Sequence, residues 1–379
     1  RGQSFFATVG TTLENRTGGT QPGAVLPATG MPYRESLETR RFDLGTLWQM
    51  LPGGRYVLTA RATWARQWHD HQFGEVLERD RHDTAFGEVT LRGSGGGHTW
   101  VGGVAVEQDT YDPTDVPRFA YTFTTPGVFV QDDVDIRPWL AMSMSGRLDH
   151  HSEYGWFLSP RVSALFRSGT WSTRMSAGGG FFGPSALTEE TEAAGLTRLT
   201  MDGPLRAERG RSASIDLTRT DGPFSATVTL FGSHITDPVQ VDRPAYVLRN
   251  LAEPTTTVGV ELLGMLRQSP LAITASYTYV RSRERVEGVA NDVALTPRHS
   301  IGLVTMVENE DGRIGLEVYY TGRQRLEDNP YRVMGDSYVI VGLLVERRVG
   351  RLRLFVNGEN LTNVRQTRWD PLLRPARAI

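Results

Sequence analysis

Apolar and polar positions alternate one for one along most of this chain, in segments of about 10 residues each. Phe42, Leu44, Trp48 and Met50 oppose Arg41, Asp43, Gly45 and Gln49, while Val258, Val260 and Leu262 oppose Thr257, Gly259 and Glu261. The pattern returns in Ile273, Ala275, Tyr277 and Tyr279 against Ala272, Thr274, Ser276 and Thr278, and in Ile314, Leu316, Val318 and Tyr320 against Arg313, Gly315, Glu317 and Thr321. Near the end Leu352, Leu354 and Val356 alternate with Arg351, Arg353 and Asn357. Residues two apart share one face of a strand, so each segment predicts a strand with one oily side and one small, polar side. Amphipathic helical periodicity is nearly absent, and the expected class is all-β.

Connections between these segments alternate in length. Short ones are Pro52-Gly53-Gly54, Ser94 to Gly97, Arg137-Pro138, Ser168-Gly169, Asp221-Gly222-Pro223, Ser269-Pro270, Glu310-Asp311-Gly312 and Val349-Gly350. Long ones are Asn15 to Leu37, Trp68 to Arg81, Thr110 to Thr125, His150 to Trp156, Phe181 to Arg209, Thr236 to Arg243, Arg283 to Pro297 and Gln324 to Asp336. A soluble sandwich has no reason to sort loops by parity, whereas an outer-membrane barrel has short periplasmic turns and long extracellular loops. The expectation is an antiparallel transmembrane β-barrel contributing about 17 strands, the first and last both running outward. Trp48, Trp64, Trp68, Trp100, Trp139, Trp156 and Trp171 fall mostly near predicted strand ends, where interfacial aromatic girdles belong.

Composition narrows this further. The chain has 379 residues, 39% hydrophobic and 22% charged, too apolar for a disordered chain. Its formal net charge of −2 comes from interleaved acids and bases, which gives no electrostatic footprint for nucleic acid. Without cysteine there is no disulfide framework, thiolate metal site or cysteine nucleophile. No run of about 18 apolar residues occurs, which excludes a transmembrane helix and says nothing against a barrel. Arg1-Gly2-Gln3-Ser4-Phe5-Phe6 enters a strand pattern without a signal peptide, and Ala376-Arg377-Ala378-Ile379 stops inside a loop. Residues 1–379 are therefore expected to be one partial barrel of a longer chain.

Asn360-Leu361-Thr362-Asn363, just after a strand, resembles the Asn-Leu-x-Asn/Asp signature of TonB-dependent outer-membrane receptors. Further stretches resemble that family in its own order: Val128-Phe129-Val130-Gln131-Asp132-Asp133, Gly146-Arg147-Leu148-Asp149-His150, Phe157-Leu158-Ser159-Pro160-Arg161 and Gly180-Phe181-Phe182-Gly183-Pro184-Ser185. Leu205-Arg206-Ala207-Glu208-Arg209 and Asn250 with Gly259-Val260-Glu261 complete the series. Phe182 stands where the family has an arginine, so no role of that arginine carries over. The resemblance implies roughly 22 strands in the whole barrel, with an N-terminal plug, the first strands and the last strand outside this chain. It also implies import of a scarce ligand across the outer membrane of a Gram-negative-type bacterium by a single copy, driven by the TonB complex through that plug. Ferric siderophores are the family's commonest ligand class, beside cobalamin, nickel chelates and oligosaccharides. No cofactor and no enzymatic activity are implied. A passive porin and a soluble all-β binding or hydrolytic domain are the alternatives.

Candidate chemistry lies in the long loops. His69, His71 and His82 with Asp70 and Asp83 carry metal-donor atoms, but their spacing matches no recognised ligand pattern and reads as polar loop. Asp149, His150, His151 and Glu153 sit at a strand end and read as structural. Glu189, Glu190 and Glu192 follow Pro184-Ser185 and begin a short surface helix. Adjacent Asp132 and Asp133 point to opposite faces of a strand and cannot act together as acid and base. No phosphate loop or Gly-x-Ser-x-Gly elbow occurs. Trp68, His69, His71, His82, Glu189 and Glu190 are the candidate ligand-contacting residues; no catalytic, cofactor-binding or metal-binding residue is assigned.

Overall fold

In a computed structural model the alternating segments form long antiparallel strands, as their period requires. The structure describes residues 2–20, 31–286, 288–327, 329 and 332–364. The strands are β1 (Gln3–Gly19), β2 (Arg34–Met50), β3 (Tyr56–Phe73), β4 (Val76–Gly95), β5 (His98–Pro113), β6 (Tyr121–Arg137) and β7 (Leu140–His151). β8 (Gly155–Ser168), β9 (Trp171–Phe182), β10 (Thr200–Met201), β11 (Glu208–Asp221), β12 (Phe224–Thr236), β13 (Val239–Asp242) and β14 (Val247–Asn250) follow. Last come β15 (Thr255–Gln268), β16 (Leu271–Val286), β17 (Val289–Asp292), β18 (His299–Asn309), β19 (Gly312–Thr321), β20 (Tyr338–Val349) and β21 (Leu352–Gly358). Among the described residues one α-helix, α1, spans Glu189–Ala194.

Seventeen of these strands form one continuous antiparallel wall in chain order, omitting only β10, β13, β14 and β17. That matches the expected count. β1 and β21 both start at the short-turn side, and among the described residues no ladder joins them. β17 extends β16 locally, while β10, β14 and β13 make a small separate sheet within the long-loop side.

The two faces of the wall differ as the sequence pattern requires. Directly opposed residues in an antiparallel ladder share a face. One register row runs Gln131, Ser145, Arg161, Gly178, Ser212, Ser233, Thr257 and Ser282 across eight strands. A cavity of about 480 Å³ lined by β5 to β9 opens among these polar residues, so this face is concave. The other face is apolar and uncovered: Leu158 is 68% exposed, Val130 58% and Val104 54%. Leu44, Trp48, Val260, Ile273 and Leu316 share that convex face, and none of them enters a closed core.

Several expected loops are corrected: His150 to Trp156 leaves only residues 152–154 between β7 and β8, and Arg283 to Pro297 contains the end of β16 and all of β17. Trp68 to Arg81 is not a loop: β3 and β4 pair without interruption to Phe73↔Val76, leaving Gly74 and Glu75 as the turn. β2 to β6 run 16 to 20 residues, against roughly 10 needed to cross an apolar band, so their ends stand well beyond it. There both faces meet water, and apolar alternation disappears while pairing persists. Likewise β1 and β2 pair to Gly19↔Arg34, which shortens the Asn15 to Leu37 connection; its residues 21–30 lie outside the described residues. So do residues 365–379 at the C-terminal end.

Candidate functional site

The concave wall at its long-loop side carries the most chemistry. His69 lies on β3 against Asp80 of β4 at 2.9 Å, His71 reaches Glu35 of β2 at 3.4 Å, and His82 of β4 pairs with Asp109 of β5. Each imidazole thus uses a different carboxylate on a neighbouring strand. Among the described residues no three metal-donor side chains converge, and the histidine cluster is a set of cross-strand staples. Trp68 points the other way, exposed, with the Arg66 guanidinium 5.9 Å from its ring. Of the second group, Asp149 is held by Arg147 at 2.8 Å, His151 Nδ1 accepts the Glu153 amide at 3.2 Å, and the His150 ring lies tilted 4.6 Å from that of Trp156. These contacts give Asp149, His150 and His151 structural partners.

Beside the staples runs an arc of rings: Tyr111 on Tyr121, Tyr121 stacked on Phe123 at 4.4 Å, and Phe123 against His151 at 4.8 Å. A strap of chain, Gly183-Pro184-Ser185-Ala186, crosses this arc. The Tyr154 hydroxyl donates to the Pro184 carbonyl at 2.6 Å, and a Cβ at Gly183 would stand 2.8 Å from His151 Nε2. Burial, then the Glu153 charge, pushes the Tyr154 phenol up to about 12.

After the strap comes α1. Thr188 caps it, accepting the Thr191 amide at 3.2 Å, and Glu189 and Glu190 occupy its first turn, where the helix dipole favours acids. Both lie at the surface of the loop cluster, and Glu190 stands 4.0 Å from Arg243. The short helix expected from Glu189 to Glu192 is therefore present.

Behind α1 the long connections build a hydrophobic core of their own from Tyr111, Val116, Phe119, Ala186, Leu196, Leu199 and Leu248. Each fully buried leucine contributes about 1.5–3 kcal/mol, so these connections form a folded cap. The segment Gly195 to Leu199 is gripped from three sides. Glu78, buried near the hairpin tip, accepts the Leu196 and Thr197 amides, both at 2.7 Å. Arg118 donates to the Thr197 carbonyl at 2.8 Å, and the Tyr246 hydroxyl donates to the Gly195 carbonyl at 2.5 Å. Burial, then the Glu78 charge, raises the Tyr246 phenol. Arg79 binds Asp115 at 2.9 Å and holds that carboxyl below the usual range.

Two singled-out motifs become anchors of this cap. Asn250 accepts the Arg206 amide at 2.8 Å and donates to the carbonyls of Arg206 and Asp237 at 2.9 and 2.6 Å. Glu208 accepts the Val239 amide at 2.6 Å. At the other end Asn360, 1% exposed with φ 48°, accepts the Val364 amide at 2.9 Å and closes the turn after β21. Sequence reasoning missed Glu78, Arg118, Tyr246 and the ring arc, because nothing local marks a residue whose partner is far along the chain. The arrangement offers a folded cap of carboxylates, hydroxyls and rings above a hydroxyl-lined wall, a surface for binding.

A family model described as TonB dependent receptor-like, beta-barrel matches residues 3–361. No curated protein matches the sequence. Among solved structures the chain is similar to the siderophore receptor PirA from Acinetobacter baumannii, with TM-score 0.72 at 11% identity, covering 97% of this chain and 70% of that one. It is similar to the FrpB iron transporter (F5-1 variant) from Neisseria meningitidis, with TM-score 0.75 at 12% identity over 95% and 66% of the two chains. A ferric enterobactin receptor (PfeA) mutant from Pseudomonas aeruginosa gives 0.72 at 15% identity over 92% and 58%. At these identities the likeness shows the fold. The chain spans between 58% and 70% of those three chains.

Proposed function

Since the chain belongs to the TonB-dependent receptor family as β-barrel wall, we propose that it forms part of an outer-membrane receptor importing a scarce ligand, with ferric siderophores as the first ligand class. Lipid covers the convex face, whose exposed Leu158, Val130 and Val104 have no protein partner layer. Two aromatic belts bound that face. On β8, Phe166, stacked on Trp139, and the exposed Trp156 are ten residues apart, about 25 Å along a tilted strand, the height of an outer-membrane apolar band. The cap then faces the cell exterior.

The single observation that carries the ligand-binding half is the folded cap over a polar concave wall. Ordering several long connections costs conformational entropy that a passive pore has no use for. Trp68, His69, His71, His82, Glu189 and Glu190 all stand on its hairpin or its helix, outside the apolar band. The siderophore preference rests on the receptors and iron transporter with the same fold. Energy enters from the TonB complex through a plug carried outside these residues, and the receptor binds and translocates its ligand without chemical change.

Disruption of the gene in its native host should abolish high-affinity uptake of one radiolabelled ferric siderophore from a panel, and restoration should recover it. Uptake lost only for cobalamin, a nickel chelate or an oligosaccharide would replace the ligand class. Unaltered uptake of every scarce solute would remove the transport reading.

A further inference from the structure

On the convex face, Arg211 of β11, His234 of β12, Thr256 of β15 and Arg283 of β16 are consecutive cross-strand partners. Arg281 lies two residues below Arg283 and opposite Val258. Opposed residues and residues two apart share a face, so all five project on the side of Ile215, Leu230 and Val258. All five are exposed. The row spans three strand spacings, about 14 Å.

Its height is informative. His234 is ten residues from Phe224 at the short turn of β12, which puts the row at the far edge of the roughly 25 Å apolar band. Immediately below it the four strands carry only apolar, glycine and tyrosine residues on this face, among them Ile215, Leu230, Val260 and Tyr279. Elsewhere at this level convex-face arginines are neutralised by the protein: Arg40 by Glu38 at 2.6 Å and Arg66 by Asp83 of the next strand. Among the described residues Arg211, Arg281 and Arg283 have no ion-pair or hydrogen-bond partner, and Glu253 is already taken by Arg285 at 2.8 Å. Arg281 and Arg283, two residues apart on one strand, repel each other, and an anion at the row would relieve that repulsion.

We propose that the Arg211, Arg281 and Arg283 row is a docking surface for anionic, phosphate-bearing lipid headgroups, with the acyl chains lying along the Leu230 and Val258 strip. A guanidinium fork matches phosphate oxygens two at a time, and cations at the edge of an apolar band attract anionic lipid. The His234 imidazole and the Thr256 hydroxyl lie between the arginines as further hydrogen-bonding groups. The inference rests on the membrane reading above.

The test uses the receptor carrying this chain, purified in mild detergent, with binding of phosphatidylglycerol and of zwitterionic phosphatidylcholine followed by native mass spectrometry. Wild type should retain phosphatidylglycerol in preference, in a salt-sensitive way. Combined Arg211→Gln, Arg281→Gln and Arg283→Gln should weaken this on the order of a hundredfold, each single change roughly fivefold, and the three lysine replacements should recover most of it. Arg40→Gln with Arg66→Gln should leave it unchanged. Equal retention by the triple glutamine variant overturns the proposal, as does displacement by inorganic phosphate at the lipid's own concentration, which would assign the row to a free ion. Tryptophan quenching by brominated lipid, measured in parallel, separates the two readings: its absence in wild type overturns the membrane reading and the lipid site with it.

Discussion

The Arg147 guanidinium grips the nearly buried Asp149 carboxylate at 2.8 Å, both projecting from one strand onto the concave wall. They fit there because the cross-strand neighbour of Asp149 is Gly127, where a Cβ would stand within 3 Å of both Asp149 Oδ1 and Arg147 Nη2. Gly127→Ala should therefore force the pair apart and strand a carboxylate that is 5% exposed, at a cost of about 3 kcal/mol. Gly146→Ala, on the same strand with nothing within 4 Å, should cost well under 1 kcal/mol. Urea midpoints of the two folded variants check this, and equal midpoints would show that the pair tolerates displacement.

That pair also shows what the sequence makes legible. An Arg-x-Asp stretch in an alternating segment places arginine and aspartate on one face, and the strand wall follows from such local alternation repeated along the chain. The β3–β4 hairpin reads as a loop in the sequence because His69, Asp70, His71, Arg79 and Arg81 leave no oily face to detect once the strands rise past the apolar band. The cap was illegible for another reason. Leu196 meets Tyr111 and Leu248, and Glu78 meets a backbone 118 residues away, so no window of sequence contains the interaction. His69, His71 and His82 drew attention as metal donors, yet each has its own carboxylate across a strand boundary, which only the register discloses.

Glu78 is expected to fasten the hairpin to the cap. Glu78→Gln keeps the shape but replaces one accepting oxygen by an NH₂ group, which opposes an amide N–H. Losing one charge-assisted bond is worth about 2 kcal/mol, or roughly thirtyfold faster amide exchange at Leu196 or Thr197. Amides in the β8–β9 ladder should exchange as before. If Leu196 and Thr197 keep wild-type protection, the cap is held by its hydrophobic core alone.

Tyr154 ties the strap to the wall, and its phenol is raised because burial and the Glu153 charge disfavour the phenolate. A raised folded pKa means the stabilisation is complete below the ordinary value near 10 and is lost as pH rises through about 12. Tyrosinate absorbance of wild type minus Tyr154→Phe should therefore show a single phenol titrating near pH 12. A difference curve centred near 10 would mean that the phenol is free in solution and the strap already lifted.

The strap, α1 and the Gly195 to Leu199 segment hang from one ladder, and this decides which loop experiment is clean. β9 and β11 remain paired up to Phe182↔Glu208, so Gly183 to Ala207 can be replaced by a short glycine-serine turn without removing a strand residue. Deleting Trp68 to Arg81 would instead cut a paired hairpin and unsettle Glu35 and Asp115, the partners of His71 and Arg79. The replacement should leave the barrel heat-modifiable and protease-resistant while lowering affinity for the transported ligand at least tenfold, because it removes Glu189, Glu190 and the residues that order the cap. It should also raise exchange at Leu248, whose cover of Leu196 and Leu199 is gone. Unchanged ligand affinity in an intact barrel would move recognition off this connection and onto the β3–β4 hairpin and the concave wall beneath it.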